Sequence, residues 1–273
     1  VPFSHAPGLP GKLAFYLVNA LATIVILRTT WRLSGGGRLE GDPPVPLREH
    51  VMLALGLLTG IYYALDAFSN QQVDLVIAAA LLLGCGALVA RRELLAGVWI
   101  GLAAAMKTTP LLFVPYLLWR GWWRAAMCVV VVAVSVNILP DITHPPADGV
   151  LRLRHWVEDH VAPLVDPGHP PVMWFTGPGF NHSVAGVTSR WLQADRVWRG
   201  GASVITPRSN VNAATLKVIT YTICAGLLAL VVVVMRKRPN GPASVGELGL
   251  VLALMPLLSP MSSKPHFVVL LLS

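Results

Sequence analysis

A chain of 273 residues that is 55% hydrophobic and 12% charged, with a mean hydropathy of +0.63, reads as a polytopic membrane protein, because a soluble domain needs far more charge. The formal net charge of +8 does not point to nucleic acid, since the basic residues are scattered beside apolar runs and form no patch. Cys85, Cys128 and Cys224 all fall in apolar runs without CxxC or Cys/His spacing, so neither a disulfide framework nor a zinc site is expected.

The chain opens on VPFSHAPGLP, without Met and without a charged stretch leading into a short apolar one, so no signal peptide is expected. The first span is Leu13 to Arg28, running into Arg28, Arg32 and Arg38. A Gly/Pro-rich linker, Ser34 to Pro46, leads to a second span from His50 to Asp66. That span ends in the polar patch Ser69, Asn70, Gln71, Gln72 and Asp74. The third span is Val73 to Ala90 and stops at Arg91 and Arg92.

Two short apolar segments follow, Leu94 to Met106 and Leu111 to Trp119, joined by Lys107, Thr108, Thr109 and Pro110. At 1.5 Å per residue the first covers about 20 Å, less than a hydrocarbon core of about 30 Å. Arginines bracket the pair, Arg91 and Arg92 before it and Arg120 and Arg124 after it, which predicts a hairpin entering and leaving on one side with Lys107 at its tip. An ionisable group at membrane depth is costly and pairs or serves a pathway; the alternative is a lysine that snorkels to the interface.

A fifth span, Ala125 to Leu139, precedes the polar segment 141–212. The sixth is Leu216 to Met235, ending in Arg236, Lys237 and Arg238; the seventh is Leu248 to Leu258, bounded and broken by Pro256 and Pro260; a last begins at His266. The closing run PHFVVLLLS is too short to cross a bilayer, so the chain is expected to be a fragment truncated at both ends. Arg28, Arg32, Arg38, Arg48, Arg91, Arg92, Arg120, Arg124, Arg236, Lys237 and Arg238 then share one side, eleven of 21 basic residues, and that side is read as cytoplasmic. Asn70, Gln71, Asp74, Lys107, segment 141–212 and Ser259 to His266 collect on the outer side.

Within the outer segment, Val150, Leu153, Val157 and Val161 recur at helical spacing, which predicts an amphipathic helix over Gly149 to Val161 lying on the membrane surface. Met173 to Phe180 reads as a Gly/Pro turn with aromatics, followed by Asn181-His182-Ser183, a formal glycosylation sequon of low specificity. His155 and His160 are five apart and do not share a helical face, so a solvated surface is expected there instead of a metal site. Asp66 and Asp74 flank an outer turn and read either as helix caps or as bases. Lys264 and His266, on either side of Pro265 where Pro260 and Pro265 interrupt helices, form either an anion site or an interfacial pair. No P-loop, GxGxxG, GxSxG or HExxH motif is present, and no cofactor or metal is expected.

Several blocks resemble the integral-membrane GT-C glycosyltransferases of family 87. Asn70-Gln71-Gln72-Val73-Asp74-Leu75 is similar to the family's N-G-Q-V-N-L, with Gln71 in place of Gly and Asp74 in place of the second Asn. Ala96 to Trp123 is similar to A-G-x-x-x-G-x-A-A-x-x-K-x-T-P-x-L-x-x-P-Y-L-L. Asn181-His182-Ser183 resembles N-Q-S, and Leu258 to His266 resembles L-S-P-x-S-W-x-H-H, with Ser263 for Trp and Pro265 for the first His. The resemblance implies an all-α, polytopic transmembrane helix bundle of GT-C type, with about eight membrane segments and an outer segment carrying a surface helix. It spans residues 1–273 as one domain, with 141–212 as the outer segment within it.

The resemblance also implies transfer of a sugar, mannose foremost, from a polyprenyl-phosphate donor to a lipid or glycan acceptor. The setting would be the outer face of the cytoplasmic membrane of a bacterium, among membrane lipids. Lys107, His266 and Lys264 are the implied donor-phosphate residues; Asn70, Gln72, Asp74, Thr109, Asn181 and Ser183 would line sugar or acceptor. The family's catalytic Asp is expected upstream of Val1. Two rival readings are a transporter or flippase, which also uses broken helices and a lysine at membrane depth, and a degenerate non-catalytic paralogue. No repeat relates the halves of the chain, which counts against the carrier.

Overall fold

The computed structural model describes residues 8–36, 47–172, 181–199, 202–207, 209–235 and 244–272. Arg38, linker residues 37–46, the Met173–Phe180 turn and the basic run Arg236, Lys237, Arg238 lie outside the described residues. The fold is all-α as expected, and three helical stretches among the described residues are long and apolar enough to cross a membrane: Leu9–Gly35, Trp123–Thr143 and Ala213–Met235. The chain divides into two compact units, the first comprising 1–133, 240–253 and 265–273, the second 134–239 and 254–264.

In the first unit, α1 (Leu9–Trp31) starts four residues before the expected span because Pro10 sits in its first turn, where a missing N–H has no consequence. Then come α2 (Leu47–Ser69), α3 (Asp74–Val89) and α4 (Glu93–Met106). A 3₁₀ turn (Thr109–Leu112) leads into α5 (Phe113–Trp119), and the start of α6 (Trp123–Thr143) closes the run. The expected short hairpin is therefore present, with Lys107 between its arms. Helix α3 is apolar nearly all round and buried on most of its surface, the pattern of a central helix. It packs against α1 on one side and α4 on the other. Leu75, Leu81, Leu88, Ile100, Phe113 and Leu117 are fully buried around it.

Three turns in this unit share one construction. After α2, the Gln71 N–H donates to Phe68 O at 3.3 Å and the Gln72 N–H reaches back to Ala67 O at 3.0 Å. After α3, Arg91 donates to Leu88 O and Arg92 to Ala87 O; after α5, Gly121 donates to Leu118 O and Trp122 to Leu117 O. Each is a Schellman cap, which satisfies the last carbonyls by placing one residue in the left-handed region. Those residues are Gln71 at φ 51°, Arg91 at φ 57° and Gly121 at φ 74°. Only the last is the residue type that adopts this conformation without steric cost.

Helix α4 meets α6 through glycine. A Cβ on Gly97 would stand 2.5 Å from Cys128 Cβ and 2.8 Å from the Ala125 carbonyl; one on Gly101 would stand 2.7 Å from Val132 Cβ. Gly97 and Gly101 lie four apart on one face, the small-residue spacing that lets membrane helices approach closely.

In the second unit, α6 ends at Thr143, past the expected end at Leu139, and runs through Pro140; a proline that near the end removes one backbone bond only. Helix α7 (Arg152–His160) is the amphipathic helix expected from Gly149 to Val161, followed by the short α8 (Ala162–Val165). None of the α7 residues is buried, and Trp156, Val157 and the following Val161 are exposed. Its start is held by Asp141, whose buried carboxylate accepts from the Arg152 backbone N–H at 2.9 Å and from the Arg152 guanidinium. His155 lies 2.7 Å from Asp148, while His160 stacks on Trp156, so the two histidines face different partners.

Helix α9 (Val184–Leu192) packs on α10 (Ala213–Met235), and α11 (Val245–Leu258) carries the chain from the first unit into the second. The one pair of strands among the described residues is an antiparallel ribbon, β1 (Ala194–Arg199) and β2 (Ala202–Pro207), with Val197 opposite Val204. The chain ends the described part in a 3₁₀ helix, Lys264–Leu272.

Two stability outcomes follow from these contacts. Gln71→Gly removes a left-handed penalty of roughly 1–2 kcal/mol, partly offset by the freer unfolded chain, and is expected to raise the thermal midpoint of the detergent-solubilised protein. Gly101→Val must push α4 from α6 and is expected to lower it, by an overpacking cost of about 1–3 kcal/mol.

Candidate functional site

The polar end of the α3–α4 hairpin is built by chain geometry. Helices of 16 and 14 residues run about 24 and 21 Å in opposite directions. The first residue of α3 and the residue just past α4 therefore arrive at the same end. Those residues are Asp74 and Lys107. The backbone leaves the helix at Lys107, in an extended conformation at φ −155° and ψ 134°, and its N–H donates to Ala103 O. The ammonium Nζ donates to Asp74 Oδ1 at 2.8 Å, with side-chain exposures of 23% for Lys107 and 7% for Asp74.

Asp74 thus answers the choice between cap and base in a third way, as the counter-charge of Lys107. A buried carboxylate beside a half-buried ammonium costs desolvation on both sides, and each makes the other tolerable. His266 lies within electrostatic reach of both charges. Thr109 and Gln72 are half-buried neighbours of the pair along the chain, and the exposed Asn70 turns its amide onto Asp66 O at 3.0 Å. Asp74, Lys107 and His266 are the predicted residues that the first unit brings together.

At the other end of α5, Arg120 is buried as well, its guanidinium 3.6 Å from the buried Glu247 and 5.4 Å over the Trp122 ring. The Tyr116 hydroxyl donates to the same carboxylate at 3.4 Å. The sequence reading counted Arg120 among the flanking charges that set topology. Its role as an internal ion-pair partner was missed, because Glu247 lies far along the chain and no spacing links the two.

The second unit holds the remaining residues in a hydrogen-bonded knot. Asn181 Oδ1 accepts from the Ser183 N–H at 3.1 Å, the Ser183 hydroxyl at 2.7 Å and the Ser262 N–H at 3.2 Å. Its Nδ2 donates to Pro260 O at 3.0 Å, and its own carbonyl accepts from the Arg190 guanidinium. Ser183 caps α9, its Oγ accepting from the Gly186 N–H at 3.1 Å. Asn181 and Ser183 are fully buried, so the polar groups expected to line a sugar are turned inward onto the protein. The next residue is half-buried: burial holds His182 below its ordinary pKa of 6.5, and the nearby positive charges of Arg190 and Lys264 add to the effect. Arg190 and the Ser262 backbone are the members of this knot that the sequence reading did not single out.

An apolar helical protein with three helices long and apolar enough to cross a membrane, and a lysine–carboxylate pair at the end of an apolar hairpin, belongs among integral-membrane proteins. Residues 1–260 match the family model of Glycosyltransferase family 87, and the chain belongs to that family. No curated protein and no solved structure matches the chain.

The His182 environment carries a pH consequence. Its folded pKa is depressed, so the unfolded chain takes up a proton first on acidification. The neutral ring's contribution is complete above about pH 6.5 and declines as pH falls toward the folded value. Thermal unfolding of the solubilised protein is expected to shift down between pH 7.5 and pH 5, and to shift less in His182→Gln; an identical shift in the variant would refute the assignment.

Proposed function

We propose that this glycosyltransferase moves a sugar, mannose in the first instance, from a polyprenyl-phosphate donor to a lipid or glycan acceptor. The outer face of a bacterial cytoplasmic membrane is the proposed setting. The observation that carries the reading is the Lys107–Asp74 pair: a cation held in place at the end of an apolar hairpin, with a second basic side chain, His266, within electrostatic reach.

In the proposed reaction the acceptor oxygen attacks the anomeric carbon, the bond from that carbon to the phosphate oxygen breaks, and the electron pair stays on the phosphate. Configuration inverts, and the acceptor proton passes to a general-base carboxylate. Charge therefore grows on the leaving phosphate, and a preoriented ammonium is worth most where charge develops. Lys107 is assigned to that oxygen, with His266 beside it. Asp74 fixes the direction of the Lys107 ammonium and is assigned to that role instead of serving as the base. Asn70, Gln72 and Thr109 are assigned to the sugar or the acceptor, and Lys264 is assigned to anion binding in the second unit. The acyl chains of membrane lipids would meet the exposed apolar residues of α1, α6 and α10.

The reading is tested in membranes containing the full-length protein, supplied with radiolabelled polyprenyl-phosphate mannose and, in parallel, other polyprenyl-phosphate sugars. Lys107→Ala is expected to lower transfer about 10²–10³-fold at equal protein level, as for loss of one preorganised charge-stabilising group, and His266→Ala to lower it less. Wild-type membranes that transfer none of these sugars, or Lys107→Ala membranes that keep the full rate, would overturn it.

A further inference from the structure

The segment 259–263 leads into the terminal 3₁₀ helix at Lys264, and within it each backbone N–H and C=O carried by Pro260, Met261 and Ser262 is hydrogen-bonded. The Met261 N–H donates to Ser259 Oγ at 3.2 Å, and the Ser259 hydroxyl donates to Met261 O at 2.5 Å, a turn closed by its own side chain. The Pro260 carbonyl accepts from Asn181 Nδ2, the Ser262 N–H donates to Asn181 Oδ1, and the Ser262 carbonyl accepts from the His182 N–H at 2.6 Å. One asparagine thus holds both ends of the tripeptide Pro260–Ser262, and the Arg190 guanidinium fixes that asparagine from behind. Gly186 seals the arrangement: a Cβ there would stand 2.5 Å from Asn181 Cγ and 2.6 Å from Oδ1.

We infer that Asn181 is a positioning residue: by clasping Pro260–Ser262 it sets where the Lys264 ammonium stands, and so tunes the binding of a phosphate at that lysine. The inference rests on the assignment of Lys264 to anion binding made above. Asn181 itself is fully buried and touches no ligand. Its influence runs through two residues of backbone, and the side chain that meets the phosphate is that of Lys264. The ligand chemistry is a phosphate monoester or diester, carried either by a polyprenyl lipid or by free phosphate in water.

The test is a double-mutant cycle on ligand binding, read on the purified full chain in detergent with polyprenyl phosphate as one probe and inorganic phosphate as the other. Lys264→Ala is expected to weaken polyprenyl phosphate binding about tenfold. Asn181→Ala is expected to weaken it by a similar factor, and the double variant no further than Lys264→Ala alone, the non-additivity of two residues acting as one. Gly186→Ala keeps every hydrogen-bonding side chain but puts a Cβ 2.5 Å from Asn181 Cγ and 2.7 Å from the Asn181 carbonyl oxygen, so residue 181 must shift, and the variant is expected to reproduce the Asn181→Ala loss.

Outcomes separate cleanly. Lys264→Ala with unchanged affinity for both probes overturns the assignment of Lys264, and the clasp falls with it. A loss in Lys264→Ala without one in folded Asn181→Ala or Gly186→Ala overturns the clasp alone. So does a multiplicative loss in the double variant, which is what a merely structural asparagine would give. Should Asn181→Ala not fold, the Gly186→Ala and Gly186→Ala/Lys264→Ala pair decides by the same rule. Effects confined to polyprenyl phosphate identify a lipid phosphate, and equal effects on both probes identify a phosphate site indifferent to the lipid.

Discussion

The ion pair of Lys107 with Asp74 is the constraint on which the first unit turns. Two opposite charges withdrawn from water at the end of an apolar hairpin are stable only if each finds the other, and the pair forms because α3 and α4 have nearly equal lengths and opposite directions. Change either helix by one residue and the side chains rotate by about 100° around their axes. The sharp cap after α3 and the extended residue after α4 therefore matter as much as the charges. Both are backbone events that place two particular atoms 2.8 Å apart.

Close helix approach serves the same end. Bulky side chains along α4 would hold α6 away and leave the hairpin free to tilt, and with it the Lys107 tip. Gly97 and Gly101 allow contact at backbone distance, with the Ala125 and Val129 carbonyl oxygens 2.8 and 3.0 Å from where a Cβ would stand, closer than van der Waals contact. In lipid such an interface gains from dispersion, since no water is released by burying apolar surface against apolar surface. The entropy given up is small as well, because glycine and alanine have no rotamers to lose.

Much of this was legible in the sequence. Apolar runs bounded by arginine gave the spans to within a few residues, and Lys107 stood out because a charge inside an apolar block is improbable without a partner. Its partner was within reach of the same reasoning, since an acid at the start of one span and a base at the end of the next must share an end. Asp74 was read instead for its neighbours in the chain. Arg120 with Glu247 and the knot of Asn181, Arg190 and Ser262 were beyond that reading, because pairs separated by 127 or 81 positions leave no periodic trace. The ribbon had a signal that went unused: the Gly200-Gly201 dipeptide between two runs containing β-branched residues is a hairpin pattern.

The Lys107 tip and the Asn181 knot hold their polar groups by different chemistry, and the difference has a physical reason. At the Lys107 tip the requirement is a charge, so the device that orients it must carry the opposite charge. In the knot of the second unit the requirement is to hold a backbone segment in place, which needs a donor and an acceptor a fixed distance apart. A side-chain amide offers both on one planar group, without a charge. An aspartate at 181 would lose the bond to Pro260 O and bury a charge; a glutamine would carry one more methylene into the space that Gly186 leaves just wide enough for asparagine. The pairing of Asn181 with Gly186 is thus a single steric solution written at two positions. A side chain at either that is too large, or that lacks one of the two hydrogen-bonding roles, releases the segment that ends at Lys264.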